Sequence, residues 1–517
     1  MIRFRVAIPV AVCLFHLAVL VVVGRQHPFG NYATETDFYH LFAPDASRIL
    51  AGEMPQNTYQ GPGYPLTIAL LSKWLGLELF VVGKWLSVTC AVLCGWLIFL
   101  LFRNLFGAAI GIGAQLLFLV SGEFPQFSIN ATTDVFFLLL ALLTLVVLLG
   151  QGLTIRKRTA VAAVISGCAY LTRYNGIFLP AVCLVGIVLL NHFEQSWRER
   201  WRLVALFGVL FLLLISPWLY LNGRRHGSPL YNTNYLNMAT QFYPELVAGK
   251  TNQDGTRLLE TRFRSFGDVI GYNPVQILRR YPLTLWQSLR YSLTEGLVNP
   301  TVGVMGLVGM LLAFWRRRTR SLMVLLVAAI LYLLLMGLNH WETRYYLFWG
   351  VILAGFAVFA LGSIWEAIVR RLELVVRWWG LLPVGLFLLL WTLSFAQSRA
   401  DLRRFLAAQP WEVAAARDFL RGQYGEETSR LRIVARKPHL PYLVGAGWVF
   451  FPPVRTIDEF KSWVTANRVD FIVIGKRELK ERRELAPLAK ASGAPDWLQP
   501  VWRYEETGLI LYRVTSF

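Results

Sequence analysis

Long apolar segments, almost free of charged residues, recur from one end of this chain to the other. An α-helix needs roughly 20 predominantly apolar residues to cross a bilayer. The chain has 517 residues, of which 56% are hydrophobic and only 16% charged, which is too little charge for the surface of a soluble protein. The sequence therefore predicts an all-α polytopic membrane protein with about 11 transmembrane helices, near residues 6–23, 79–102, 106–121, 133–150, 159–173, 176–191, 203–221, 300–315, 320–338, 345–363 and 378–397.

The net charge of +20 suggests a nucleic-acid partner at first, but the basic residues form short clusters at the ends of apolar segments. Such clusters are typical of the cytoplasmic side of membrane helices. With the N-terminus in the cytoplasm, every predicted inner loop is basic: Arg103; Arg156, Lys157 and Arg158; Arg198, Arg200 and Arg202; Arg316, Arg317, Arg318 and Arg320; Arg370, Arg371 and Arg377. We therefore predict a lipid bilayer as partner and no nucleic acid.

The predicted outer side receives most of the polar sequence. Loops 24–78 and 222–299 belong to a transmembrane domain placed at 1–398. From 399 to 517 the long apolar segments stop, and Thr456 with Glu459 forms a capping box that opens a helix. Short apolar runs typical of strands surround this helix. We predict a small extracytoplasmic α/β domain there, with strands at Leu431–Ala435, Phe471–Ile474 and Leu509–Val514.

The first outer loop contains an aspartate that invites a functional interpretation. The apolar spacing after Asp37 predicts an amphipathic helix, kinked or restarted at Pro44 and ended by Gly52. A carboxylate at a helix start is favoured by the helix dipole, so a purely structural role for Asp37 is one interpretation. The other is a general base just above the bilayer, at the mouth of a cavity.

Five sequence stretches, in order along the first 350 residues, carry a family resemblance. The chain resembles the polyprenyl-phosphate-sugar-dependent GT-C glycosyltransferases, among them bacterial relatives of the protein O-mannosyltransferases and of the lipid A aminoarabinose transferase. The stretches are GPGYPLTIALL after the loop aspartate, INATTDVFFLLLALLTL, SGCAYLTRYNGIFLP, SPWLYLNGRRHGSPLY and HWETRYYLFWG. The resemblance implies a GT-C-like fold in the bacterial inner membrane, with the active site facing the periplasm or cell exterior.

The same resemblance implies an activity in the cell envelope. It is the transfer of a hexosyl or pentosyl group, with inversion, from a polyprenyl-phosphate donor to an acceptor hydroxyl. Lipid, glycan and protein acceptors all remain open. Such a reaction needs a base for the hydroxyl and positive groups for the phosphate. By location and by resemblance, Asp37 is the predicted base.

Other site residues lie on the predicted outer side, close to helix ends. Arginine binds phosphate through paired donors, which makes the arginines there candidates for the donor phosphate, although snorkelling to the interface explains them equally well. These candidates are Arg344, Arg173, Arg224 and Arg225. Candidates for substrate contact are Asp134, Tyr39, Tyr64, Tyr174, His340 and Glu342, with the aromatic belt as the alternative for the tyrosines.

No cofactor is assigned from the sequence, and a divalent metal is left open. The aminoarabinose transferase has a glutamate-lysine-proline segment near the position of Gly61, Pro62 and Gly63, and this chain lacks both charges there. The metal ligands are therefore unknown. Two other functions are kept as alternatives: a multi-spanning transporter or flippase, and a polymerase or ligase of cell-envelope polysaccharide.

Overall fold

The structure is a computed structural model that describes residues 2–316, 319–371 and 381–515. Arg317, Arg318 and Arg377 and the start of the predicted helix 378–397 lie outside the described residues. The chain forms two compact units. We call residues 1–28, 45–248 and 258–407 the helical unit, and residues 29–44, 249–257 and 408–517 the sheet unit.

The first half of the chain is mostly helical. Its long helices are the apolar segments, and short helices fill the connections between them. They are α1 (Ile2–Arg25), α2 (Ala43–Leu50), α3 (Gly63–Leu75), α4 (Leu79–Phe106), α5 (Ala108–Leu119), α6 (Phe124–Phe127), α7 (Asp134–Leu149), α8 (Ile155–Thr172), α9 (Phe178–Val188) and α10 (Trp197–His226).

A second helical stretch begins in the long connection after α10. Its first five helices are polar or amphipathic, and the last four are apolar over most of their length. They are α11 (Tyr235–Phe242), α12 (Pro244–Val247), α13 (Asn252–Arg262), α14 (Phe266–Tyr272), α15 (Pro274–Thr294), α16 (Pro300–Arg316), α17 (Arg320–Met336), α18 (Leu347–Arg371) and α19 (Leu382–Ala407).

A helix is present at each of the 11 predicted positions. Among the described residues, four helices are long and apolar enough to cross a membrane by length and composition: Val6–Arg25, Leu79–Phe106, Trp197–His226 and Thr343–Arg371. Five others are apolar but shorter, such as Asp134–Leu149. The predominantly helical fold is confirmed, whereas the number of 11 spans stays a prediction.

The domain boundary predicted at 398/399 falls inside α19, which continues to Ala407. The apolar part of this helix ends near Gln397, but the residues that follow are good helix formers, so the helix does not end with the apolar run. Segments 29–44 and 249–257, predicted as parts of outer loops, cluster with residues 408–517.

Close helix packing in the helical unit depends on small residues. A Cβ atom added to Gly309 in α16 would lie 1.9 Å from the carbonyl oxygen of Phe356 in α18. At Gly306 the corresponding distance to the Leu353 carbonyl oxygen would be 2.5 Å. Glycine at these two positions therefore lets the backbones of α16 and α18 approach each other, as is common between membrane helices.

The two ends of the helical unit contain different groups of residues. At one end Arg156 lies 3.2 Å from Glu199, and Arg320 lies 2.9 Å from Glu194, among the basic loops predicted to be cytoplasmic. The opposite end gathers the start of α7, the end of α8 and the turn before α18. We call this second end the polar end of the helical unit; it holds most of the predicted site residues.

The sheet unit contains a five-stranded sheet with the order β2-β1-β3-β5-β4. Strands β2, β1 and β3 are parallel, and β5 pairs antiparallel with both β3 and β4. The elements are α20 (Trp411–Tyr424), β1 (Arg432–Val434), α21 (His439–Val444), β2 (Gly447–Val449), α22 (Ile457–Ala466), β3 (Phe471–Ile474), α23 (Lys476–Glu481), β4 (Leu498–Tyr504) and β5 (Leu509–Val514).

The small C-terminal sheet is confirmed, and the three predicted strands are β1, β3 and β5. Thr456 caps α22 as predicted, with its hydroxyl accepting from the Glu459 backbone N–H at 3.1 Å. Strands β2 and β4 were not predicted, because β2 begins with a glycine, Gly447, and β4 contains Gln499, Pro500 and Arg503.

Candidate functional site

A buried ion pair lies at the polar end of the helical unit. Asp134 opens α7, and the Arg173 side chain at the end of α8 donates to its Oδ1 atom. The two side chains are only 1% and 9% exposed. A buried acid or base is costly alone, so each of these groups depends on the other. The second oxygen of Asp134 is also enclosed, and among the described residues nothing donates to it.

Two arginines, Arg173 and Arg344, lie beside the ring of Tyr345. The guanidinium carbons of Arg173 and Arg344 lie 4.9 Å and 5.0 Å from the centre of the Tyr345 ring. Arg344 donates through Nε to Glu342, and His340 Nε2 lies 3.0 Å from the other oxygen of Glu342. Burial would raise the pKa of Glu342, but the bond to His340 and the charge of Arg344 lower it to about 2. Arg344 is therefore fixed by an ionised carboxylate.

A small polar pocket of 40 Å³ adjoins these groups and is lined by side-chain amides. Gln60, Asn175, Asn234 and Asn339 all contribute to its wall, and Arg173 is the charged residue there. Gln60 Oε1 and Asn175 Oδ1 are enclosed, and no described residue donates to either atom. An enclosed amide oxygen without a donor is unfavourable, so the pocket is suited to a ligand that supplies hydroxyl groups.

A larger and mostly apolar cavity of 350 Å³ lies next to the polar pocket. Asn175, Asn234 and Asn339 are shared between the two walls, as are Tyr174 and Met336. The larger cavity adds apolar side chains and carries no charged residue in its described wall; among these side chains are Ile177, Leu230, Met238, Phe266, Leu335 and Leu338. A ligand with one polar and one hydrocarbon part matches this pair of cavities.

The GPGYP stretch explains how the chain reaches this pocket. A Cβ atom on Gly61 would lie 2.1 Å from the Leu171 carbonyl oxygen, and one on Gly63 would lie 2.9 Å from the Leu171 carbonyl carbon. The start of α3 thus packs directly on the backbone of the last turn of α8. This contact holds Gln60 next to Arg173, and only glycine leaves room for it.

The other predicted residues of the helical unit have different surroundings. Tyr174 lines both cavities and accepts a hydrogen bond from Trp218 at 2.9 Å. Tyr64 has none of its surface exposed, so its ring offers no face for sugar stacking. Arg225 donates to the Pro55 carbonyl, and it and Arg224 belong to the last turn of α10, where basic residues favour the helix dipole.

Asp37 lies in the sheet unit, in the segment 29–44. It precedes a π-helical turn, Phe38–Phe42, which continues into α2, and Gly52 follows with a left-handed φ of +79°. The predicted restart near Pro44 and the end at Gly52 are therefore present. The neighbouring acid Glu35 is fully buried and accepts from the backbone and side-chain nitrogens of Asn31, at 3.0 Å and 2.8 Å. Glu35 thus stabilises the turn, whereas Asp37 is half-buried.

Tyr39 is enclosed between this segment and the C-terminal chain. Its ring is 2% exposed and lies 4.7 Å from the His439 ring and 4.8 Å from the Tyr442 ring. Its hydroxyl accepts from the Gly30 N–H at 2.8 Å. These contacts anchor the segment that carries Asp37, and they leave no open face of Tyr39 for a sugar.

Lys437 is a functional candidate that the sequence analysis missed. It follows β1, and its charge interacts with that of Asp37. The pKa of Lys437 is lowered to about 8, mainly by burial and also by the charge of Arg436, while the charge of Asp37 opposes both effects. The sequence did not indicate a functional role for Lys437, because a lysine in a polar segment is expected to be an exposed surface residue. The amides Gln60, Asn175 and Asn339 were also missed, although Asn175 lies within one of the stretches quoted above and Gln60 and Asn339 directly precede two others.

The described residues do not fit a bound metal ion. Among them, no group of three or more His, Cys, Asp or Glu side chains converges. His340 and Glu342 form a pair, but Arg344 occupies the second oxygen of Glu342 and would repel a cation there. We therefore assign no reaction step to a metal.

Residues 59–221 match the sequence profile of the family described as dolichyl-phosphate-mannose-protein mannosyltransferase. This stretch contains the GPGYP turn, Asp134 and Arg173. No curated protein matches the chain in sequence.

Solved structures resemble the whole chain. The apo oligosaccharyltransferase of Archaeoglobus fulgidus superposes with a TM-score of 0.64 at 12% identity, covering 99% of this chain and 74% of that one. The oligosaccharyltransferase AglB from Archaeoglobus fulgidus, in complex with an inhibitory peptide and a dolichol-phosphate, has a TM-score of 0.58 at 13% identity, covering 97% of this chain and 74% of that one. ArnT of Cupriavidus metallidurans bound to undecaprenyl phosphate has a TM-score of 0.57 at 15% identity, covering 96% and 97%.

These neighbours are GT-C glycosyltransferases, which are polytopic membrane proteins. The chain has their fold, over nearly its full length. The resemblance seen in the sequence is confirmed at this level, while the donor, the acceptor and the roles of individual residues stay predictions.

Proposed function

We propose that this protein transfers a sugar from a polyprenyl-phosphate donor to an acceptor hydroxyl. The observation that carries the proposal is the pair of neighbouring cavities, with five wall residues in common, in the helical unit. One cavity is polar and lined by amides and Arg173, and the other is apolar. A lipid-linked sugar has the same two parts. Two of the similar structures contain the lipid part of such a donor, a dolichol-phosphate in one and undecaprenyl phosphate in the other.

In this proposal Arg344 and Arg173 bind the donor phosphate. Both lie against Tyr345, and both are held by carboxylates, so their positions are set before substrate arrives. Preorganised positive groups stabilise the negative charge that develops on a leaving phosphate. Arg344 itself does not line the cavities but lies against Tyr345, which lines the polar pocket. Arg224 and Arg225 have no such link to the pocket wall and belong to the last turn of α10.

The donor sugar lies in the larger cavity and places hydroxyl groups in the amide-lined pocket, whose 40 Å³ admits only a small part of a sugar. The oxygens of Gln60 and Asn175 accept hydrogen bonds from sugar hydroxyls, which removes the cost of leaving them unpaired. Since the amides are neutral, the pocket is better suited to a neutral hexose or pentose than to a charged sugar. The polyprenyl chain follows the apolar cavity next to Leu230, Phe266 and Leu338.

Asp37 acts as the general base. It takes the proton of the acceptor hydroxyl while the hydroxyl oxygen bonds to the anomeric carbon of the sugar. The bond between that carbon and the phosphate oxygen breaks, polyprenyl phosphate leaves, and the configuration inverts. Half-burial beside Lys437 keeps Asp37 accessible, whereas Glu35 is fully buried in its own hydrogen bonds.

We place the protein in the bacterial inner membrane with the reaction on the outer side. Cysteines introduced at Gly152, between α7 and α8, and at Ser429 test this arrangement, since both positions are exposed. The five native cysteines lie in apolar helices and four of them are buried. A membrane-impermeant thiol reagent added to intact cells should label Ser429→Cys only. Labelling of Gly152→Cys from outside would reverse the topology.

The activity itself is tested with full-length protein in proteoliposomes. Polyprenyl phosphates carrying labelled mannose, glucose or arabinose are supplied together with an envelope extract. We expect one of them to pass its label to a component of the extract. Label that stays on the lipid under all conditions would contradict the proposal.

A further inference from the structure

A further cavity, separate from the two in the helical unit, lies within the sheet unit. It has a volume of 390 Å³ and opens at the carboxyl ends of the parallel strands β1 and β3. Arg436 and Lys437 follow β1, and Gly475 and Lys476 follow β3. From β1 the chain passes through α21 to β2, which lies on one side of β1 in the sheet. Strand β3 lies on the other side of β1. The two loops diverge at this point, which is where open parallel sheets commonly bind ligands.

The segment that carries Asp37 forms part of the wall. Tyr32 lines the cavity, and its ring lies 5.8 Å from the Arg436 guanidinium and 4.9 Å from the His439 ring. Thr507, in the turn between β4 and β5, also lines the cavity. Among the described residues nothing bonds to its enclosed hydroxyl. The cavity is therefore a structured polar site and not a gap between exposed loops.

The carboxylates in the wall already have partners or unfavourable surroundings. Glu478 lies 3.0 Å from Arg436 and accepts from the Gly475 N–H at 2.9 Å. Glu506 accepts from the Tyr504 hydroxyl at 3.3 Å. Burial raises the pKa of Glu412, and repulsion from Glu478 and Glu506 acts in the same direction.

Two lysines of the wall, the half-buried Lys437 and the exposed Lys476, form no ion pair among the described residues, although the charges of Asp37 and Glu481 act on Lys437. Neither lysine has a hydrogen-bond partner in the part of the chain that the structure describes. Lys437 is half-buried, so its charge is desolvated. A half-buried cation without a partner is stabilised when a ligand supplies an anion.

We propose that this cavity binds an anionic group, a phosphate or a carboxylate, carried by the glycosyl acceptor. That the ligand is the acceptor rests on the proposed function, in which Asp37 is the base. Lys437 interacts with Asp37, and Tyr32 in the cavity wall lies five residues before Asp37 in the chain. An anion on Lys437 brings the rest of the acceptor close to the base. The acceptor class is thus an anionic lipid headgroup or glycan and not a neutral one.

Binding is measured by protection from amine modification. Full-length protein in nanodiscs is treated with an amine-reactive reagent at pH 8, and the modified lysines are quantified by mass spectrometry. The probes are inorganic phosphate, glucuronate and, as the neutral control, glucose. We expect phosphate or glucuronate to slow the modification of Lys437 severalfold, with no change at exposed Lys461. Phosphate and glucuronate distinguish the two kinds of anion.

Kinetics with the acceptor supply the second readout. Lys476→Met removes one charge of the cavity without touching the lysine that interacts with Asp37. A charge-assisted hydrogen bond is worth roughly tenfold in affinity at a partly exposed site. We expect the KM for the acceptor to rise about tenfold and kcat to change little. Lys461→Met is the matched control and should behave as wild type.

The outcomes separate this inference from the proposed function. Anion protection without any sugar transfer supports the anion site and rejects the glycosyltransferase proposal. Sugar transfer with equal modification of Lys437 in phosphate, glucuronate and glucose rejects the anion site alone. Protection by polyprenyl phosphate at lower concentration than by either soluble anion would assign the cavity to the donor and overturn the inference.

Discussion

The two polar sites of this protein handle charge in opposite ways. In the helical unit, Arg173 and Arg344 each have a carboxylate partner, and the remaining polar groups of the pocket are neutral amides and tyrosine hydroxyls. In the sheet unit, Lys437 and Lys476 line a cavity without partners among the described residues. The first arrangement positions a ligand through hydrogen bonds, and the second attracts a charge. The difference favours a donor site in one unit and an acceptor site in the other.

The comparison also separates stability from binding. Removing one partner of a buried ion pair leaves the other charge uncompensated and costs about 3–5 kcal/mol. Removing a lone, half-buried lysine has no such penalty and relieves its desolvation. Substitutions in the buried ion pair of the helical unit should therefore affect folding, whereas those of the two lysines in the sheet unit should affect substrate affinity.

The largest effect is expected at Asp37, the group that acts on the acceptor. Asp37→Asn keeps the size of the side chain, so the protein should be produced and inserted normally. Loss of a general base lowers the rate by about a hundredfold to ten-thousandfold. The control is Glu35→Gln, which alters the turn at Asn31 and should reduce thermal stability more than turnover. Full turnover by Asp37→Asn together with an inactive, stable Glu35→Gln would move the base to Glu35.

The next effect tests the buried ion pair. Asp134→Asn leaves the Arg173 guanidinium buried without its counter-ion, and the free energy of unfolding should fall by about 3–5 kcal/mol. Thermal unfolding in detergent, followed by tryptophan fluorescence, measures the change. Combining it with Arg173→Gln should restore part of the stability. Lys437→Met is the comparison in the sheet unit and should shift the unfolding temperature little. Equal losses in both units would break the comparison drawn above.

A smaller effect is expected at the neutral amides. Asn175→Ala removes an acceptor for a sugar hydroxyl, which is worth about 1 kcal/mol, or roughly a fivefold rise in the KM for the donor. Asn104→Ala is the matched control, because Asn104 is exposed at the opposite end of the helical unit. A larger effect on the acceptor than on the donor would move the sugar pocket elsewhere.

The smallest effect concerns pH. Anion binding in the sheet unit needs protonated Lys437, whose pKa is about 8. Affinity for inorganic phosphate should thus be highest below pH 8 and fall as the pH rises through that value. Arg436 and Arg477 disfavour the protonated lysine, and Asp37 and Glu481 favour it, so Arg477→Gln should move the midpoint upward. A flat profile between pH 7 and about pH 9.5, across the range where this lysine loses its proton, would contradict a role for Lys437.

Features with local causes could be predicted from the sequence. The 11 helix positions follow from apolar length, and the capped helix after Thr456 follows from two residues three positions apart. Asp134 and Arg173 were both recognised as site residues. That they bind each other could not be predicted, because 39 residues separate them and helix packing alone brings them together.

The position of Asp37 could be predicted only in part. Its place before a helix was visible, whereas the packing of segment 29–44 in the sheet unit was not. That packing depends on single long-range contacts, such as the 2.7 Å hydrogen bond between His439 Nε2 and the Asn31 carbonyl oxygen. The neighbourhood of Asp37 and Lys437 is a consequence of those contacts and has no signature in either stretch of sequence.

The central claim is that sugar leaves a polyprenyl monophosphate and appears on an acceptor. It is tested most directly by quantifying both products in one reaction of proteoliposomes with a defined polyprenyl-phosphate sugar. We predict one free polyprenyl monophosphate for each glycosylated acceptor with wild-type protein, and only trace amounts of either with Asp37→Asn. Intact donor accumulating in the opposite leaflet would identify a transporter, and release of polyprenyl diphosphate from a diphosphate-linked donor would identify a polymerase or ligase; either result would contradict the proposed reaction.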